Sequence, residues 1–170
     1  MNENIIFDLE KFKAMIHYII SKCENNDNLG RVVLYKLLYF SDFDNYEKYE
    51  KSISGETYIR KTRGPIPSHF FEAIDELINE GKIDESQKSV INYLKYNYTS
   101  LMEPDISLLT SKEIDVINNT INRISHFYSE EISQYSHGDI PWRLANEGEA
   151  LNYEAVFYRD PEYSVRDYND

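Results

Sequence analysis

The sequence predicts a mainly α fold with a small β component, that is, an α+β domain of about five to six helices with a small β-sheet or hairpin. Three observations lead there. Apolar residues recur at steps of three and four through most of the chain. That period breaks over Ile53–Lys61, where β-forming residues gather. Only 6 Gly and 5 Pro punctuate 170 residues, so the segments between them are long.

Leu9, Phe12, Ile16, Ile19 and Cys23 place an amphipathic helix over about 8–24. Asn25–Gly30 is a polar break. A second helix follows over roughly 31–49, with Val33, Leu37 and Phe40 on one side and Leu34 and Leu38 beside them. Tyr35 and Tyr39 widen its apolar surface, which predicts a central helix contacted on several sides. Gly55 gives a turn, and Thr57–Lys61 reads as a short strand that Gly64-Pro65-Ile66-Pro67 stops. Ser68 is a good N-cap for a helix with Phe70, Ile74, Leu77 and Ile78 on one face, closed by Gly81. Val90–Thr99 fits a strand better than a helix. Thr110 and Glu113 have capping-box spacing, and Ile114, Ile117, Ile121, Ile124 and Tyr128 continue a helix over 111–128. Ser129 is placed to cap a short further helix to Tyr135. Ser136–Tyr158 reads as irregular. Residues 1–159 form one domain, and 160–170 read as a loose acidic tail.

One domain suits the length, at roughly 100–200 residues per domain. A hydrophobic content of 41% with 15 Tyr and 8 Phe excludes a disordered chain. Lys+Arg 18 against Asp+Glu 30 leaves a net charge of −12, which repels nucleic acid over most of the surface. A single Cys excludes an internal disulfide and a multi-Cys zinc site. The opening MNENIIFDLEKFK resembles neither a signal peptide nor a transit peptide. No apolar run approaches the ~20 residues that span a bilayer. A cytoplasmic protein without membrane contact is the expectation.

No catalytic constellation emerges. Cys23 lies on the apolar face of its helix, where thiols are buried and inert. No two of His17, His69, His126 and His137 are three or four apart, so no helix presents a pair of metal ligands. Glu130–Glu131 and Glu147–Glu149 lack an apolar frame and read as solvated surface. Neither cofactor nor metal is expected. Two features admit a surface role. Arg60, Lys61 and Arg63 form the one dense basic cluster, either an exposed strand end paired with acids or a positive spot for an acidic partner. Trp142 with Arg143 is either a loop anchor or an interface hot spot.

Two separated segments carry a further signal. The first holds Lys36-Leu37-Leu38-Tyr39-Phe40-Ser41, Gly55-Glu56-Thr57-Tyr58 and Gly64-Pro65-Ile66-Pro67. The second holds Ser136-His137, Pro141-Trp142, Gly148-Glu149, Tyr153 and Val156-Phe157-Tyr158. In this order they resemble the Panacea domain, the phage-associated GepA and SocA-like antitoxin domain, over about residues 11–158. The resemblance implies a non-enzymatic antitoxin that neutralises a toxin encoded nearby by direct binding. Some SocA-like members look like adaptors that bring a toxin to a cellular protease, and the acidic tail is the candidate surface for one. A DNA-binding autoregulator needs a basic helix face, whereas 111–128 carries only Lys112 and Arg123 as cations.

The motif residues Lys36, Tyr39, Gly55, Gly64, Pro65, Pro67, His137, Pro141, Gly148 and Tyr153 are expected to be structural. Lys36 sits among apolar neighbours, so its ammonium should reach solvent or an acid. Partner contacts are expected from Tyr58, Arg60, Lys61, Arg63, Trp142 and Arg143, with Tyr58–Gly64 and Ser136–Arg143 on or near one face.

Overall fold

The computed structural model describes residues 5–169 of the chain. Helix α1 (Leu9–Cys23) is capped by Asp8, whose carboxylate accepts the Lys11 N–H at 3.0 Å. Cys23 at its end is buried, and burial pushes its thiol up to about 11. Helix α2 (Arg31–Tyr49) is the axis of the molecule. Every residue from Val33 to Glu47 is buried, so α2 has no solvent stripe. Its enclosed Lys36, Asp42, Asp44 and Glu47 must therefore find partners inside the fold.

Strands β1 (Tyr58–Lys61) and β2 (Gly64–Pro67) form an antiparallel hairpin from Tyr58↔Pro67 to Lys61↔Gly64. The Gly-Pro-Ile-Pro run is thus the returning strand, not a stop. Prolines cannot donate to a ladder, and an edge strand in a two-stranded ribbon tolerates that. The outer side of β1 is covered by Gly148–Leu151, through Arg60 N to Glu149 O at 2.9 Å and Leu151 N to Tyr58 O at 2.8 Å. Helix α3 (Phe70–Asn79) follows with His69 at the cap position. Ser68 does not cap it, because its hydroxyl donates to buried Glu56 at 3.0 Å.

Strands β3 (Ile83–Val90) and β4 (Tyr93–Ser100) form a second, longer hairpin, turning at Ile91–Asn92 with Asn92 at φ 73°. Only β4 is legible as a strand in the sequence. Helix α4 (Ser111–Ile124) has the expected capping box, with Glu113 N to Thr110 Oγ1 at 3.1 Å and Thr110 N to Glu113 Oε1 at 2.9 Å. It ends four residues earlier than expected, and Tyr128 is 61% exposed. Helix α5 (Ser129–His137) begins at Ser129, which is its first residue and not its cap. The Ser136–Tyr158 stretch is more regular than expected. It contains helix α6 (Ile140–Leu144), with Pro141 in its first turn, and a 3₁₀ helix over Tyr153–Tyr158.

The acidic tail is docked against α2, not loose. Buried Glu47 accepts hydrogen bonds from Ser164 Oγ at 2.5 Å, Val165 N at 3.0 Å and Tyr168 Oη at 2.9 Å. Tyr163 is buried and donates to the Tyr135 carbonyl at 2.9 Å. A carboxylate enclosed at the centre of a fold needs donors, and the tail brings them. The molecule is predominantly helical, with two small antiparallel hairpins among the described residues.

Candidate functional site

The surface that unites the two motif segments rests on a buried polar frame. The Arg159 guanidinium is fully enclosed and meets Asp44 at 2.8 Å, Glu47 at 3.1 Å and Asp139 at 2.7 Å. Tyr39 donates to the other side of this frame, at Asp139 Oδ2, over 2.8 Å. Burial, followed by the Asp139 charge, holds the Tyr39 phenol well above its usual range. Asp139 also precedes α6, so these contacts fix where Pro141-Trp142 emerges. Tyr153 stacks on Phe43 with ring centres 4.1 Å apart and donates to the Glu56 carbonyl at 2.6 Å.

Tyr58 belongs to the same interior. It is 0% exposed and donates to Asp42 Oδ2 at 2.7 Å. The expectation that it offers aromatic area to a partner is therefore overturned: its ring faces the core from β1. Asp42 also accepts the Ile53 and Ser54 amides, both at 2.9 Å, and pins the loop before β1 to α2. Burial raises its pKa, and the Ser54 and Tyr58 hydrogen bonds oppose that. Within that loop Gly55 sits at φ 74°, and a Cβ there would overlap the Ile6 carbonyl.

Lys36 departs from expectation as well. Its side chain reaches neither solvent nor, among the described residues, an acid. It is 1% exposed, and its ammonium donates to the Pro65 carbonyl at 3.2 Å. Burial, then the positive charge of Arg63, pushes its pKa down to about 7. Gly64 makes room for it. At φ 114°, a Cβ on Gly64 would overlap Lys36 Cε and Ser136 Oγ. One buried lysine thus ties α2 to the β1–β2 hairpin, and Ser136 of α5 packs on the same glycine.

On the outside, the two motif segments do meet. Trp142 lies between His137, with ring centres 4.2 Å apart, and Arg60, whose guanidinium carbon is 3.7 Å from the ring centre. The indole donates to the Lys61 carbonyl at 3.3 Å. Arg60 Nη1 donates to the Trp142 carbonyl at 3.0 Å and the Ala145 carbonyl at 2.8 Å. Trp142 is half-buried, so it both anchors α6 and presents an edge to solvent. Burial lowers the His137 pKa, and the charges of Lys36 and Arg60 add to that. Lys61 and Arg63 are exposed at the hairpin turn. Arg143 is exposed too, 3.4 Å from Asp160.

Arg63 also walls a groove of about 480 Å³ that no local sequence pattern announces. The groove runs between this turn, the start of α2, the start of α5 and the β4 strand. It collects Arg31 and Lys95 with Tyr93, Leu94 and Tyr128. These residues are scattered over a hundred positions, and only folding brings them together. The buried acids Asp42, Glu47, Glu56 and Asp139 also escaped sequence reasoning, because nothing local distinguishes them from surface acids. Among the described residues no group of three or more His, Cys, Asp or Glu side chains could hold a metal ion, and no helix is long and apolar enough to cross a membrane.

A family model described as antitoxin SocA-like, Panacea domain, matches residues 34–143, from the first turn of α2 to α6. Gly148 and Tyr153 fall outside the matched span. No curated protein and no solved structure matches the chain.

Proposed function

The chain belongs to the SocA-like antitoxin, Panacea domain family, and from that premise we propose that it neutralises one cognate toxin by binding it directly in the cytoplasm. On this reading the toxin is encoded nearby, in a toxin-antitoxin pair of the phage-associated kind, and the domain is a binding protein and not an enzyme. The observation that carries the reading is the family match, whose 34–143 span includes the first motif segment and the start of the second, which meet at Trp142. The placement of the polar motif residues supports it. Lys36 and Tyr39 are spent on internal contacts from α2 to the hairpin and to Asp139, and Ser136 on the Ser133 carbonyl within α5. What remains available to a partner is Lys61, Arg63, Arg143 and the edge of Trp142.

An adaptor that delivers the toxin to a protease is the second reading. The tail proposed to serve it is engaged by Glu47, so the inhibitor reading is the better supported. Coexpression with the product of each adjacent reading frame tests the proposal. Restored growth together with a copurifying complex is the expected result. Growth that stays arrested, with no complex for any neighbour, overturns it. Toxin abundance separates the two readings: an inhibitor leaves the toxin abundant and silent, whereas an adaptor makes it disappear when the protease is present.

A further inference from the structure

The groove beside Arg63 has a composition unlike the rest of the molecule. Arg31, Arg63 and Lys95 line it against one acid, Glu130, in a chain whose net charge is −12. Its apolar lining is unusually open, with Tyr93 60%, Leu94 53% and Tyr128 61% exposed. Exposed aromatics beside cations make a surface that can take an apolar side chain and a carboxylate together. The three cations are not equally engaged. Arg31 lies over the Tyr96 ring and bonds Glu85, so it is held in place. Lys95 donates to the Asp27 carbonyl, a neutral partner, at the edge of the groove. Arg63 is exposed at the hairpin turn, and the charge it acts on most closely is that of Lys36, not an acid.

We propose that this groove receives an extended acidic segment of a partner polypeptide, with an apolar or aromatic side chain seated among Tyr93, Leu94 and Tyr128 and carboxylates facing Arg63 and Lys95. Charge complementarity selects the occupant. A basic segment meets three cations, and a long polyanion such as nucleic acid runs off this small positive island onto acidic surface. A short acidic peptide satisfies the island without leaving it. The partner's identity as the toxin rests on the antitoxin reading, whereas the groove's preference for acidic peptide does not.

Two arms keep those apart. In the first, backbone amide shifts of the full chain are followed on adding a random copolymer of Glu and Tyr, with a copolymer of Lys and Tyr as control. Shifts at Gly30, Arg63, Leu94 and Tyr96 with the acidic copolymer alone are expected. They should weaken as salt rises and fall roughly tenfold in apparent affinity in the Arg63→Glu, Lys95→Glu variant. Should that variant not fold, the salt titration of the wild-type chain decides. No shift at the groove, an equal response to the basic copolymer, preferential binding of an oligonucleotide, or a dimer of this chain that closes the groove overturns the proposal. In the second arm the toxin is bound to both proteins. Equal binding by wild type and variant overturns the groove as the toxin's site and leaves the antitoxin reading standing. A toxin that the wild type fails to neutralise overturns the antitoxin reading, and the copolymer arm alone then judges the groove.

Discussion

The Arg60 guanidinium lies 3.7 Å from the centre of the Trp142 ring while its Nη1 donates to the Trp142 and Ala145 carbonyls. Arg60 is thus part of how α6 is held to β1, more than a free charge for a partner. A double-mutant cycle between Arg60→Ala and Trp142→Ala, measured by urea unfolding, should give a coupling of about 0.5–2 kcal/mol. Trp142→Ala alone should cost about 2 kcal/mol, short of the 3–5 typical of a fully enclosed aromatic, because Trp142 is half-buried.

Lys36 gives a pH signature. In the fold its pKa is pushed down to about 7, against an ordinary 10.5 in the unfolded chain. Between those values the unfolded state binds the extra proton, so this group's contribution makes stability rise with pH over that window. Below about 7 both states are charged, and the folded state carries the full cost of a buried ammonium facing Arg63 and His137. Lys36→Met should therefore stabilise the protein at pH 6 by about 1–4 kcal/mol. That gain should shrink as pH rises from 7 toward 10.5. Urea unfolding of wild type and variant across this range checks it, and the difference between the two cancels the other titrating groups.

Gly64 and Gly148 both have positive φ, at 114° and 83°, but a Cβ on Gly148 would meet nothing. Gly148→Ala should cost about 1 kcal/mol for backbone conformation alone. Gly64→Ala should cost roughly 2–4 kcal/mol, since it adds a clash with Lys36 and Ser136 to the backbone cost. Thermal unfolding of the two variants side by side gives the comparison.

Local signals were readable wherever one element contained both partners. Thr110 and Glu113 lie three apart, so their capping box could be seen in the sequence, as could the central position of a helix apolar on several sides. Strand β3 could not be seen, because Ile83 is its one buried residue and the rest of Asp84–Val90 shows no alternation. Pro65 and Pro67 read as a stop because prolines end most strands, and only the edge position of β2 explains them. The frequency of Tyr in interfaces points Tyr58 to the surface, whereas its partner Asp42 lies a full element away. The tail read as loose from its charge. Its anchor, Glu47, is 117 residues from Ser164. No local pattern encodes that distance.

Charge reversal separates the binding face from the scaffold. Lys61→Glu with Arg63→Glu should slow toxin association by about tenfold at low salt, and the difference should fade at high salt. The melting temperature should not fall, because both side chains are exposed and loss of the Arg63 charge relieves buried Lys36. Arg60→Glu should instead destabilise the domain through the lost Trp142 stack and carbonyl contacts. Stopped-flow association and thermal unfolding of the same proteins distinguish the two effects.

Hydrogen–deuterium exchange of the chain, free and in complex with the coexpressed product of the neighbouring reading frame, tests the central claim most directly. The account predicts a stable complex with new protection at the Lys61–Arg63 turn, Tyr93–Tyr96 and the start of α5, and none at α1 and α3, which contribute no residue to the groove lining. A complex protected only at α1 and α3, or no complex with any neighbouring product, would contradict it.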